Sequence, residues 1–197
     1  PWSCSGRGVF CAQGLSRKVL LDKTAGIIHR QGSVMAERGY RKVAEFGALY
    51  ECDTDGAKFR GLSMFLTEAR GAYTGNIVAP QDYFFGRIDA LGLLRQLDNA
   101  TRQLEDVLAP MITPYYKGWL GIDMMAYEGD DGMTHLHPCI ELNLRMTMGV
   151  AAMKIADRLS PTRPMLMSWQ RAATTDNTPT LLKPREGFAL TLTDLNS

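Results

Sequence analysis

The sequence lacks most of the features that mark a special class of protein. No apolar run approaches the roughly 20 residues that a membrane-spanning helix needs, and no basic stretch followed by an apolar one stands at the start as a secretory signal would. A membrane partner is therefore not expected, and the chain reads as cytoplasmic. An excess of charge is missing too. The 22 Lys and Arg are balanced by 21 Asp and Glu, a net +1, which gives no electrostatic case for nucleic acid as a partner. Cys4, Cys11, Cys52 and Cys139 are scattered, with no C-x-x-C pair. They read as reduced thiols in a reducing compartment rather than as a disulfide framework. His135, His137 and Cys139 lie close together, but alternate positions along a strand share one face, whereas local zinc sites use turns. The two histidines read as structural, shaping the strand around Pro138. There is no internal repeat.

What is present is ordinary for a globular protein. A chain of 197 residues, 45% of them hydrophobic, can build one sizeable core or two small domains that share one. It starts at Pro1 without a methionine and with no helix or strand leading in, which points to natural sequence ahead of it. Ser16 is an N-cap for a helix that Gly32 ends. Extended segments are expected over 33–38 and 43–52, the second closed by the turn Asp53-Thr54-Asp55-Gly56, with a paired strand over 58–67. Apolar residues at three- and four-residue steps predict one helix over 87–108, stopped by Pro110. Strands are expected over 119–127 and 133–143, joined by a Gly- and Asp-rich turn, and a helix over 148–159. Two short apolar runs, 165–169 and 188–192, suggest a hairpin within a C-terminal extension over 160–197. Antiparallel strands with flanking helices give an α+β class, a sheet covered by helices.

The chemistry concentrates in Gly121-Ile122-Asp123-Met124-Met125 and Ile140-Glu141-Leu142-Asn143-Leu144-Arg145. Alternation along a strand puts Glu141 and Asn143 on one face, with Ile140, Leu142 and Leu144 turned into a core. Asp123, flanked by Ile122 and Met124, faces away from both. Two carboxylates and an amide oxygen are hard ligands suited to magnesium, which completes its shell with water and substrate phosphates. Arg145, if the strand continues, stays on that face and can grip phosphate oxygens with its planar fork. Any one of these residues reads equally well as a polar group on a solvated hairpin; the combination Glu-x-Asn-x-Arg just before a helix start is what is rare.

The stretch 121–149 resembles the metal-binding end of the ATP-grasp superfamily, in the version of the carbamoyl-phosphate synthetases and related carboxylate–amine ligases. The resemblance extends over about 1–159 and implies a domain that lacks its N-terminal part. It implies that Asp123, Glu141 and Asn143 bind Mg2+ ions bridging the phosphates of ATP, that Arg145 contacts the transferred phosphate, and that Met125 lies under the adenine. Ser5, Gly6, Arg7 and Gly8 resemble the small-residue loop over the ATP phosphates, where backbone N–H groups approach the anion. Glu37 would then sit at the hinge that binds the adenine edge, and Glu45 near the ribose hydroxyls. Some amide-forming members carry an Arg two residues before the metal-binding Asp, where this chain has Gly121. Arg70, Tyr73 and Asn76, on a polar Gly-rich loop, are candidates for receiving a small carboxylate-bearing substrate. The reading implied is a Mg-ATP-dependent ligase that activates a carboxylate as an acyl phosphate for attack by an amine. A small-molecule kinase on the same scaffold and a non-catalytic nucleotide-binding fragment remain open, as does assembly into a homo-oligomer. The isolated fragment is expected to be inactive.

Overall fold

The structure is a computed structural model and describes residues 10–67, 73–171, 180–182 and 188–195. In chain order the elements are helix α1 (Arg17–Gln31), strands β1 (Arg41–Asp53), β2 (Gly56–Ser63), β3 (Phe65–Thr67) and β4 (Tyr73–Val78), helices α2 (Gln81–Asp89) and α3 (Leu94–Ile112), strands β5 (Gly118–Glu128) and β6 (Thr134–Asn143), helix α4 (Met148–Leu159), and strands β7 (Met165–Arg171), β8 (Thr180–Leu182) and β9 (Phe188–Asp194). The chain divides into two compact units, one of Pro1–Tyr40 with Thr67–Tyr73 and one of Arg41–Leu66 with Thr74–Ser197.

In the first unit the helix signals are the ones expected. The Ser16 hydroxyl accepts from the Val19 amide, and Gly32 closes α1 in the left-handed region (φ 77°), donating its N–H to Ile28. Residues 33–38 do not form the strand that their composition suggested; the chain has no regular element until Arg41.

The second unit holds two sheets, ordered β2-β1-β5-β6 and β3-β4-β7-β9-β8. In the first, the β1–β2, β1–β5 and β5–β6 pairs are all antiparallel. One face of it carries Phe46, Ala48, Tyr50, Leu120, Ile122, Met124 and Ala126, all buried under Phe84 and Ile88 of α2 and Leu97 and Leu108 of α3. The single helix expected over 87–108 is instead two. Its apolar spacing runs across a break at Gly92, which takes φ 70° and so ends α2 before α3 begins. Pro110 does not stop α3 either. It lies within the helix, two residues before its end at Ile112, so the hydrogen bond its missing N–H forfeits falls in the last turn.

Helix side chains also close the outer edge of β2. The Gln81 Oε1 accepts from the Leu62 amide at 2.8 Å while its Nε2 donates to the Leu62 carbonyl at 3.0 Å, imitating a neighbouring strand. Glu105 Oε1 accepts from Phe59 N. These contacts satisfy groups that would otherwise be an open pairing template. At the opposite edge, Gln96 Oε1 accepts from Leu136 N near the start of β6. Ile140, Leu142 and Leu144 are 47%, 39% and 46% exposed, so the row expected to enter a core lies on an outer strand beyond the reach of α3.

The run from 160 is not an appendage. The two runs pair as strands β7 and β9, with β8 between them in the chain; β7 also pairs with β4, and Met167, Leu190 and Leu192 share a core with Val78, Ala152 and Ala156. α4 is therefore held between the sheets, with Val150 and Met153 on Leu49 of the first sheet and Ala152 and Ala156 on the second. Gln81→Leu should destabilise the fold by about 1–3 kcal/mol, because it strands a partly buried amide and carbonyl. Urea unfolding measures this, and an unchanged midpoint would show that the Gln81 bridge is dispensable.

Candidate functional site

The site lies on the other face of the first sheet. Along β5, residues at even positions from Leu120 to Ala126 are buried, while Asp123, Met125 and Tyr127 are partly open. Strand register then decides their neighbours. Asp123 stands directly opposite Glu141 on β6 and opposite Gly47 on β1; Met125 stands opposite His137 and Glu45; Gly121 stands opposite Asn143. Two steps on β5, from Asp123 to Met125, span four on β6, from Glu141 to His137. The slack is a bulge around Pro138, whose missing N–H cannot serve the ladder.

Asn143 links the two ends of the set. Its Nδ2 donates to Asp123 Oδ2 at 3.3 Å and its Oδ1 accepts from Arg145 Nη2 at 3.1 Å. The strand ends at Asn143, so Arg145 does not keep its face by strand continuation as expected; it reaches back through this hydrogen bond. Glu141 and Arg145 are exposed, Asn143 half-buried. Partial burial, then the facing Glu141 carboxylate, push the Asp123 carboxyl up from the usual carboxylate range to about 6; Asn143's hydrogen bond pulls the other way, Glu45 adds to the rise, and Arg145 opposes it.

Glycines keep this face passable. A Cβ at Gly47 would come within 2.9 Å of Ser63 Oγ, beside Asp123. At Gly121 it would come within 2.8 Å of the Thr147 methyl, in the turn that starts α4. A side chain at Gly121 would therefore have to displace the Thr147 side chain at the start of α4.

The other candidates are distributed less tightly. Met125 and Glu45 are cross-strand partners on the site face, both half-buried. Glu45 is paired with Lys42, Nζ to Oε2 at 2.8 Å. Glu37 belongs to the other unit, in the exposed stretch without regular structure. Tyr73 and Asn76 lie on β4, not on a loop. Tyr73 is exposed, whereas Asn76 is 2% exposed with Nδ2 donating to the Met64 carbonyl at 3.4 Å. Asn76 is thus placed as a core residue that ties β4 to the chain between β2 and β3. Ser5, Gly6, Arg7, Gly8 and Arg70 lie outside the described residues. His135 meets Asp131 through Nε2 at 2.9 Å and packs on Tyr127, shaping the hairpin tip.

Two members of the site face escaped the sequence. Gly47 reads as one strand glycine among several, and its role appears only when Asp123 is found opposite. Lys42 faces the site because of a register shift between Lys42 and Ala44, which alternation alone assigns to the wrong face.

Among the described residues no three His, Cys, Asp or Glu side chains converge as a metal cage. The donors here are two carboxylates and an amide, and their chemistry fits a hard divalent ion. Burial first and the facing Glu141 carboxylate second raise the Asp123 carboxyl, and a cation would relieve the repulsive part.

No family model matches the chain, and no curated protein matches it in sequence. Among solved structures it is similar to an ATP-grasp superfamily protein from Archaeoglobus fulgidus, at 18% identity and a TM-score of 0.47, over 79% of this chain and 47% of that one. It is also similar to N5-carboxyaminoimidazole synthetase from Staphylococcus aureus, complexed with ADP, at 9% identity and a TM-score of 0.37, over 82% of this chain and 48% of that one. The chain spans about half the length of the solved structures it matches.

Because Asp123 is protonated more readily folded than unfolded, its contribution to stability without metal is fullest below about pH 4 and is lost as pH rises through about 6. Asp123→Asn should therefore stabilise the metal-free protein at about pH 8 by about 1–2 kcal/mol, a value reduced for solvent screening. The gain should vanish near pH 4. Denaturant titrations at both pH values test this, and destabilisation at the higher pH would contradict the electrostatic account of the site.

Proposed function

We propose that this chain carries the metal- and phosphate-binding part of a Mg-ATP-dependent ligase, which activates a carboxylate as an acyl phosphate for attack by an amine. The single observation that supports this reading best is the cross-strand opposition of Asp123 and Glu141, with Asn143 and Arg145 alongside. A like-charge pair on adjacent strands is unfavourable by itself and becomes useful when a divalent ion and phosphate oxygens are brought to it.

In this reading Asp123, Glu141 and Asn143 would hold magnesium through their carboxylate and amide oxygens. The ion, when bound, offsets charge on the nucleotide phosphates. Arg145 would grip the transferred phosphoryl group, whose oxygens suit a planar two-pronged donor. A carboxylate oxygen of the substrate attacks the γ-phosphorus and the bond to ADP breaks. The amine attacks the acyl carbon, phosphate leaves, and the nitrogen loses its proton to give the amide. Met125 offers an apolar bed for the base and Glu45 a carboxylate for the ribose hydroxyls. The roles that the resemblance and the loop sequence imply for Ser5, Gly6, Arg7, Gly8, Glu37, Arg70 and Tyr73 remain part of this proposal. Asn76, turned into the core, drops out of that set.

Glu141→Ala in the full-length protein should lower magnesium-dependent ATP turnover by at least about a hundredfold, the scale for removing a preorganised electrostatic group. Coupled measurement of ADP release is the check. Wild-type turnover in that variant would sink the assignment.

A further inference from the structure

The strand β1 carries a bulge whose effect is to change which face one lysine occupies. Ala44 pairs with Ala126 and Glu45 with Met125, yet Lys42, not Val43, pairs with Tyr127. Val43 is the extra residue. Regular alternation from Glu45 would put Val43 and Arg41 on the site face and send Lys42 to the opposite one. The bulge reverses this, so Lys42 joins Tyr127, Met125, Glu45 and Asp123 on one face. Its ammonium then meets Glu45 at 2.8 Å, in a pair whose side chains are 49% and 34% exposed.

A lysine and glutamate this open contribute little to stability, so the arrangement wants another reason. Glu45 shares its face with Asp123 and Glu141, and its charge is close enough to Asp123 to hinder that residue's ionisation. That repulsion acts to turn the Glu45 carboxylate outward. Lys42 approaches from the side away from Asp123 and keeps it in place. Arg41, its chain neighbour, is engaged elsewhere by Glu128.

We infer that Lys42 is a positioning residue for the nucleotide, brought to the site by the Val43 bulge to hold the Glu45 carboxylate beside Met125, where it accepts from the ribose hydroxyls. This rests on the nucleotide reading of the face and adds to it a residue that touches neither metal nor phosphate. The bulge is the means: without it the lysine sits on the wrong side of the sheet.

The test is calorimetric titration of the full-length protein with Mg-ATP and with its 2′,3′-dideoxy analogue, using wild type, Lys42→Met and Lys42→Arg. Lys42→Met keeps the apolar stem and should weaken ATP about tenfold. The analogue, lacking the hydroxyls, should weaken by less than about threefold, and Lys42→Arg should restore ATP binding. Thermal melting should be unchanged in both variants. Equal ATP affinity in wild type and Lys42→Met overturns the inference, as does an equal loss for both nucleotides. A wild type that binds neither nucleotide fails the nucleotide reading itself and takes this assignment with it, an outcome distinct from a binding wild type with an indifferent variant.

Discussion

Two carboxylates placed opposite each other on neighbouring strands are the constraint from which the rest of this site follows. Asp123 and Glu141 are fixed as partners by the β5–β6 register, and like charges in that relation destabilise a sheet. The fold does not avoid the conflict. It absorbs the slack of β6 in the bulge around Pro138, closer to the hairpin turn, and so leaves the charged pair in register. Asn143 and Arg145 then arrange themselves around it, one donating to Asp123 and the other donating to Asn143. In the proposed reading, this face would receive a cation and a polyanion together.

The same motif is the hinge between site and core. Four residues after Asn143, Thr147 starts α4, and α4 is the element that both sheets share. Its approach is close because Gly121 and Gly149 have no side chains. A Cβ on Gly149 would collide with Ser63 Oγ, and one on Gly121 would meet Thr147. The proposed metal ligands are therefore anchored on one side by the β-ladder and on the other by a helix packed between the sheets. That is the kind of rigid support a preorganised electrostatic site requires.

Much of this was legible beforehand, and the misses have identifiable causes. The helix over 148–159, the cap at Ser16, the stop at Gly32 and the two strands bearing Asp123 and Glu141 all follow from local signals that tertiary structure did not override. The break at Gly92 was hidden because an apolar period can run across two consecutive helices that pack on one core. Ile140, Leu142 and Leu144 alternate as a buried row would, but burial depends on what lies above the strand, and α3 stops short of them. Asn76 looked like a loop residue because it follows a polar, Gly-rich stretch that ends in Thr74 and Gly75; its strand is specified by pairing with β7, about ninety residues away in the chain. Lys42 was unreadable for a sharper reason. A single extra residue inverts every alternation argument on one side of it, and nothing local at Val43 announces the bulge.

The central claim is that Asp123, Glu141 and Asn143 receive a divalent ion in company with a nucleotide. Manganese as a paramagnetic substitute for magnesium tests it most directly, by electron paramagnetic resonance of the full-length protein titrated with Mn-ADP. The account predicts a bound-ion signal in the wild type that is lost when Asp123 and Glu141 are both replaced by the isosteric amides, Asp123→Asn with Glu141→Gln. An equally occupied ion in that double variant would contradict it.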